Sequence, residues 1–185
     1  MIFQTNNDDL EIQIQNITSE YDFECGAYQI HAKIKIHKEY IEGKGTDSEI
    51  KEIGLINIFY MPNARFIDES IIEVCDSISQ DLYYASYFAQ SYFDASESLT
   101  PDWMHISSIK IAEEFRGFKY GWFVAREMIK LFGTKSVISG VPKEEWLIDY
   151  WKRFGLVENY KIPGEKPLCF YDTELCGKGF LEDLL

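Results

Sequence analysis

Hydrophobic and polar positions alternate strictly along Leu10-Glu-Ile-Gln-Ile-Gln, which predicts a strand with one buried face. The same period returns from Tyr28 to Ile36. Tyr28, Ile30, Ala32, Ile34 and Ile36 fall on one side, with Gln29, His31, Lys33 and Lys35 on the other. Glu42 to Ser48, reading EGKGTDS, is a turn. Ile53 to Tyr60 is apolar almost throughout, which predicts a more central third strand, ended at Pro62-Asn63. These three strands are expected to form an antiparallel meander.

The period then lengthens. Ser77-x-x-Gln80 reads as a capping box for one helix through Phe93, with Ile78 at its start and Leu82, Ala85 and Ala89 along one face. Ser96 to Pro101 is a loop, and His105 to Ile111 is a fourth strand. Gly121 to Phe132 is a helix, with Trp122, Val124, Ala125, Met128, Ile129 and Phe132 at helical spacing. Val137 to Val141 is a short apolar strand. Pro142 opens a helix to Phe154, with Gly155 as its C-cap. Val157 to Ile162 and Leu168 to Leu175 are the last strands, joined by a turn at Pro163-Gly164. The expected order is β-β-β-α-β-α-β-α-β-β. That is an α/β (α+β) chain with a mixed, mostly antiparallel sheet of about seven strands flanked by helices, in one domain over 1–185.

Composition narrows the class. The 185 residues are 46% hydrophobic and 26% charged, as in an ordinary folded domain. The net charge is −13, which counts against DNA, RNA or an anionic membrane as the main partner. Cys25, Cys75, Cys169 and Cys176 are scattered without metal-ligand spacing, and the start, MIFQTNNDDL, has no basic-then-apolar run. With no long apolar stretch, the expectation is a cytoplasmic protein with reduced thiols.

Candidate chemistry concentrates in Ile109 to Gly121, IKIAEEFRGFKYG. A strand runs into a glycine turn and then directly into a helix. The first backbone N–H groups of such a helix have no intrahelical partner and lie at the positive end of its dipole, a geometry that binds phosphate. Glycine lets the turn take positive φ, and Arg116 and Lys119 add charge of the right sign. Nucleophile-elbow, Walker, HExxH and CxxC patterns are absent from the sequence.

Further on comes Asp149-Tyr-Trp-Lys-Arg-Phe-Gly-Leu156. The two segments together, from Trp103 to Tyr160, resemble the GNAT superfamily of acyl-CoA-dependent N-acetyltransferases. Arg116 stands for the Arg/Gln that opens the family's Arg/Gln-x-x-Gly-x-Gly/Ala turn, and Gly121 for its last Gly/Ala. Gly155-Leu156 stands for the Gly-Phe pair near the end of the later helix. Lys119 replaces the middle glycine, and Trp151 replaces the tyrosine that protonates the leaving thiolate in many members. The helices before the fourth strand also depart from the common layout, in which they lie between the first and second strands.

The resemblance implies acetyl-CoA as cosubstrate and an amine acceptor, a small molecule or a peptide. It places the pantetheine arm along the backbone of Ile109 and Ile111, where the fourth strand splays from the fifth. The pyrophosphate falls on Arg116, Gly117, Phe118, Lys119, Tyr120 and Gly121, with Trp151 beside the cofactor. Acyl transfer would proceed by direct attack in a ternary complex, without a catalytic cysteine. His105 and Tyr150 are the catalytic candidates, as base and as substitute phenol. His105 also fits a purely structural place, and Tyr150 lies about 100° round the helix from Trp151. Glu113 and Glu114 are expected to face solvent, and Lys152-Arg153 to be a solvated helix end or a 3′-phosphate contact. The cluster Tyr83, Tyr84, Tyr87, Phe88, Tyr92 and Phe93 reads as core with some tyrosines at a homodimer surface, and His31 and His37 as strand residues outside any metal site. The alternative reading is a degenerate GNAT-fold module that binds or regulates. A third, an RNA-directed transferase, is disfavoured by the net charge.

Overall fold

Alternation in the first third of the chain builds the sheet it predicts. The computed structural model describes residues 2–4, 10–18, 26–39, 48–64, 67–95, 102–133, 136–152, 156–160 and 168–172. The strands are β1 (Ile2–Gln4), β2 (Leu10–Thr18), β3 (Tyr28–Glu39), β4 (Ser48–Met61), β5 (Asp102–Ile111), β6 (Ser136–Gly140), β7 (Val157–Tyr160) and β8 (Leu168–Asp172). The helices are α1 (Glu69–Ile78), α2 (Gln80–Ala95), α3 (Tyr120–Phe132) and α4 (Trp146–Lys152). One sheet runs in the order β1-β2-β3-β4-β5-β6-β8-β7. Every pairing is antiparallel except β5 with β6.

This is the mixed, mostly antiparallel α/β class the pattern implies, with eight strands where the pattern suggested about seven. The added strand, β1, is three residues long and pairs along β2. β2, β3 and β4 form the expected meander, and β4 sits centrally. The helices preceding the splayed strand do lie between β4 and β5.

Period-two alternation splits the core into two layers. Ile12, Ile30, Ala32, Ile34, Ile56, Met104 and Ile138 pack with α3 and α4 on one face. Phe59, Trp103 and Val137 pack with α1 and α2 on the other.

Two helix predictions are corrected. The single helix from Ser77 is two helices, because Ser79 is extended (φ −168°, ψ 149°) and interrupts the ladder. Asp68 caps α1 by accepting from the Ile71 N–H (3.1 Å), and Ser79 Oγ accepts from the Leu82 N–H (3.1 Å). Ser77, the predicted cap, lies within α1 and donates to the Val74 carbonyl. The last helix begins at Trp146, not Pro142, because its first bonds are the tighter i→i−3 type, Leu147 to Glu144 and Ile148 to Glu145.

The turn predicted over 42–48 lies outside the described residues except Ser48, which opens β4; the turn at Pro163-Gly164, the loop over 96–101, the ends of the last two strands and the cap at Gly155 lie outside them altogether. So do Cys25 and Cys176; Cys75 is buried. Among the described residues no helix is long and apolar enough to cross a membrane.

Candidate functional site

The parallel register of β5 with β6 runs Asp102–Ser136, Trp103–Val137, Met104–Ile138 and His105–Ser139, and stops there. Gly140 continues β6 against β8, while β5 runs on to Ile111 paired only with β4. Just past the parting point β5 carries a bulge. Ile58 faces Ile106 and Asn57 faces Ser108, so Ser107 is the extra residue. Because of it, Ile106, Ile109 and Ile111 all lie on the α3 side of the sheet.

The bulge sets which backbone groups reach the open edge. Ala112 N–H donates to the Ile53 carbonyl at 2.8 Å, so that residue pair exchanges the ladder bonds. By alternation, Ile109 and Ile111 turn their N–H and C=O away from β4, toward the edge that β6 has left. One of those groups is already taken, since Arg116 Nε donates to the Ile111 carbonyl at 3.1 Å. The guanidinium predicted for phosphate therefore also braces the turn.

Glu113–Phe115 forms a short 3-10 turn that buries Phe115. The chain then needs two left-handed residues to enter α3. Gly117 has φ 88°, where glycine alone is unstrained. Lys119 has φ 63° and ψ 12° and is the N-cap of α3, without a side-chain capping bond. The position where the family has its middle glycine thus still takes positive φ. Here lysine does so at a cost of about 1 kcal/mol. The first intrahelical bond joins Phe123 N–H to the Lys119 carbonyl, so the N–H groups of Tyr120, Gly121 and Trp122 precede the helical ladder. No acidic residue occupies this first turn. Phe118 is 64% exposed, with its ring 6.0 Å from that of Tyr120.

Gly121 brings the other half of the site to this turn. A Cβ there would stand 3.1 Å from the Tyr150 hydroxyl, 3.6 Å from Ile109 Cγ2 and 3.7 Å from Ile111 Cγ1. The phenol of Tyr150, half-buried on α4, therefore reaches the start of α3 beside the open edge of β5. Burial pushes its pKa up to about 12, so it holds its proton at neutral pH. Trp151 points elsewhere. Its indole is buried against Gly140, where an added Cβ would meet Cε2 and Cζ2 at 3.1 Å. Trp151, expected beside the cofactor, is placed here as a buried side chain that backs the end of β6. The angular argument that separates Tyr150 from Trp151 on the helix is what sends the tyrosine, not the tryptophan, to the cleft.

His105 sits within β5 and not at its start, because the strand begins at Asp102. It is 1% exposed, and its Nδ1 lies 3.0 Å from Ser139 Oγ, which also accepts the Trp103 indole N–H at 2.9 Å. Burial lowers its pKa to about 3. Expected as a base, His105 is placed here as a buried ring with its Nδ1 at Ser139 Oγ. Ser139 and Gly140 were not singled out from the sequence. Nothing in a five-residue apolar run signals which residue ends a parallel pairing.

The remaining candidates separate. Glu113 and Glu114 are exposed, and Glu114 pairs with Lys51 at 3.5 Å. Lys152 is exposed, and Arg153 lies outside the described residues. His31 Nδ1 meets Asn57 Oδ1 at 2.7 Å, and Asn57 Nδ2 donates to Ser108 Oγ at 2.9 Å, a polar file across three strands. The side chain of His37 lies outside the description. In the aromatic row of α2, Phe88 is buried while Tyr87 is exposed, with its ring 4.9 Å from that of Tyr83.

No protein-family model matches the sequence, and no curated protein matches it either. Among solved structures the chain is similar to AtaTR bound with AcCoA, at 11% identity and TM-score 0.49, covering 96% of this chain and 99% of that one. It is similar to the KacTA–DNA complex at 11% identity and TM-score 0.48, covering 94% and 96%. It is also similar to AtaT complexed with acetyl-methionyl-tRNAfMet at 10% identity and TM-score 0.46, covering 89% and 95%. Against the expectation of no nucleic-acid partner drawn from the net charge, the last two are complexes of those proteins with DNA and with a tRNA. A whole-chain sum of −13 does not measure the potential at one surface, and Arg116 and Lys119 stand together on an exposed turn.

Proposed function

We propose that this chain binds an acyl-CoA in the gap between β5 and β6 and transfers its acyl group to an amine. The observation that carries the reading is the convergence, at Gly121, of three things: the open backbone edge of Ile109 and Ile111, the uncapped N-terminus of α3, and the hydroxyl of Tyr150. The pyrophosphate rests on the amides from Gly117 to Gly121, with Lys119 and the free end of the Arg116 guanidinium beside it. The pantetheine amide pairs with the open edge at Ile109 and the Ile111 N–H, since Arg116 holds the Ile111 carbonyl.

The acyl carbonyl then lies near the bulge at Ser107, where backbone N–H groups polarise it and the amine attacks directly. Tyr150, protonated at neutral pH, delivers its proton to the departing thiolate as the C–S bond breaks, and the phenolate takes up the proton that the amine loses on forming the amide; the first of these is the role the resemblance assigns to a tyrosine one residue later. One observation favours the second reading, a binding or regulatory module. His105 is sealed from solvent, and it was the base proposed on this strand.

Isothermal titration with acetyl-CoA, and with free CoA as control, tests the site. Binding at about micromolar Kd that Arg116→Glu removes is the expected result. An absence of binding at millimolar CoA overturns the proposal. An acceptor screen over small amines, peptide N-termini and aminoacylated RNA then separates transferase from module.

A further inference from the structure

The sheet parts between His105–Ser139 and the residues beyond, and this point is gripped from both faces. On the α1/α2 face, Ser139 Oγ holds the Trp103 indole N–H at 2.9 Å and His105 Nδ1 at 3.0 Å. All three side chains are within 1% of complete burial. On the α3/α4 face, the Trp151 ring rests on Gly140, where an added Cβ would stand a tight 3.1 Å from it. β6 can therefore neither slide along β5 nor peel back by one residue without leaving buried polar groups unpaired, at a cost of about 1–3 kcal/mol each.

Resting on the acyl-CoA reading above, we infer that the Trp103–Ser139–His105 cluster is a gauge for acyl-chain length. It fixes the depth of the gap, and so selects a short acyl group. Pantetheine pairs along the edge toward the parting point, so the acyl tail is the part of the ligand that meets the closed end. An acetyl methyl stops there. A longer chain needs β5 and β6 to separate one residue earlier, which breaks the His105–Ser139 pair. The cluster would be a specificity-determining device and touches neither the amine nor the thioester sulfur.

The test compares Kd for free CoA, acetyl-CoA and butyryl-CoA in the wild-type chain and in Ser139→Ala, Ser139→Thr and Trp103→Phe. The wild type should favour acetyl-CoA. Ser139→Ala should move the butyryl-to-acetyl ratio about tenfold toward butyryl, within the range methylenes contribute in fitted pockets. Free CoA should change by less than about threefold, because the phosphate turn is untouched. Ser139→Thr, which keeps an Oγ, should hold the wild-type ratio. Trp103→Phe removes only the indole donor and should move the ratio in the same direction by a smaller factor, so it serves if Ser139→Ala does not fold. A wild-type chain that binds no CoA defeats the acyl-CoA reading and the gauge together. CoA binding with an unchanged ratio in the folded variants defeats the gauge alone.

Discussion

The two ends of β5 lie on one strand and have opposite fates. Trp103 to His105 is paired on both edges and carries the buried Trp103 and His105. Ile109 to Ile111 is paired on the β4 edge only, and half-buried isoleucines cover its flank. In the closed end, the Trp103 indole and His105 Nδ1 are committed to Ser139 Oγ. In the open end, a row of backbone groups faces a helix N-terminus and a protonated phenol. The chemistry follows the pairing. A histidine in the closed end is inert, while a tyrosine from a remote helix becomes the candidate acid because the open end leaves space for it.

Acid should break the closed end first, and this is the largest expected effect. The pKa of His105 is near 3 in the fold against 6.5 when unfolded, so the unfolded chain binds the extra proton. The resulting stability is fully present above pH 6.5 and is lost as pH falls from there toward 3, by at most about 5 kcal/mol. Chemical denaturation across that range should show this slope, and His105→Gln should flatten it. An unchanged slope in the variant would mean that the ring is not the group responsible.

Gly121→Val fills the open end from the other side. Its side chain meets the Tyr150 hydroxyl and both isoleucines, so CoA affinity should fall by about 10³-fold while the thermal midpoint changes little. Retained affinity would place the ligand elsewhere.

Tyr150→Phe sharpens the assignment of the acid. It should lower kcat by about 10²-fold and leave the Kd of CoA within about threefold. Equal losses in both quantities would make Tyr150 a wall of the site and not its proton donor.

The smallest effect is at Lys119. Lys119→Gly relieves a left-handed lysine and should stabilise the fold by about 1 kcal/mol while weakening CoA binding by the loss of one cation. Tighter binding in that variant would show that the strained lysine hinders the turn.

Much of the scaffold was legible. Ile30, Ala32, Ile34 and Ile36 are buried as their spacing requires, and Val124, Ala125, Met128 and Ile129 face the core from α3. The glycine turn was legible because positive φ restricts the residue at 117. The break at Ser79 was not, since Ser77 and Ser79 offer the same hydroxyl to a helix start and only the geometry chose between them. Nor was β1, too short to show a period.

The sequence by itself determined the strands other than β1, the strand–turn–helix around Arg116 to Gly121 and the two faces of the sheet, because each follows from side-chain period or backbone freedom within a few residues. Tertiary structure alone decided where β6 leaves β5, that Ser107 is the bulged residue, and that Tyr150 rather than Trp151 reaches the gap. Those outcomes depend on register between segments distant in the chain. A shift of one residue exchanges the two faces of a strand, and no local pattern encodes that choice.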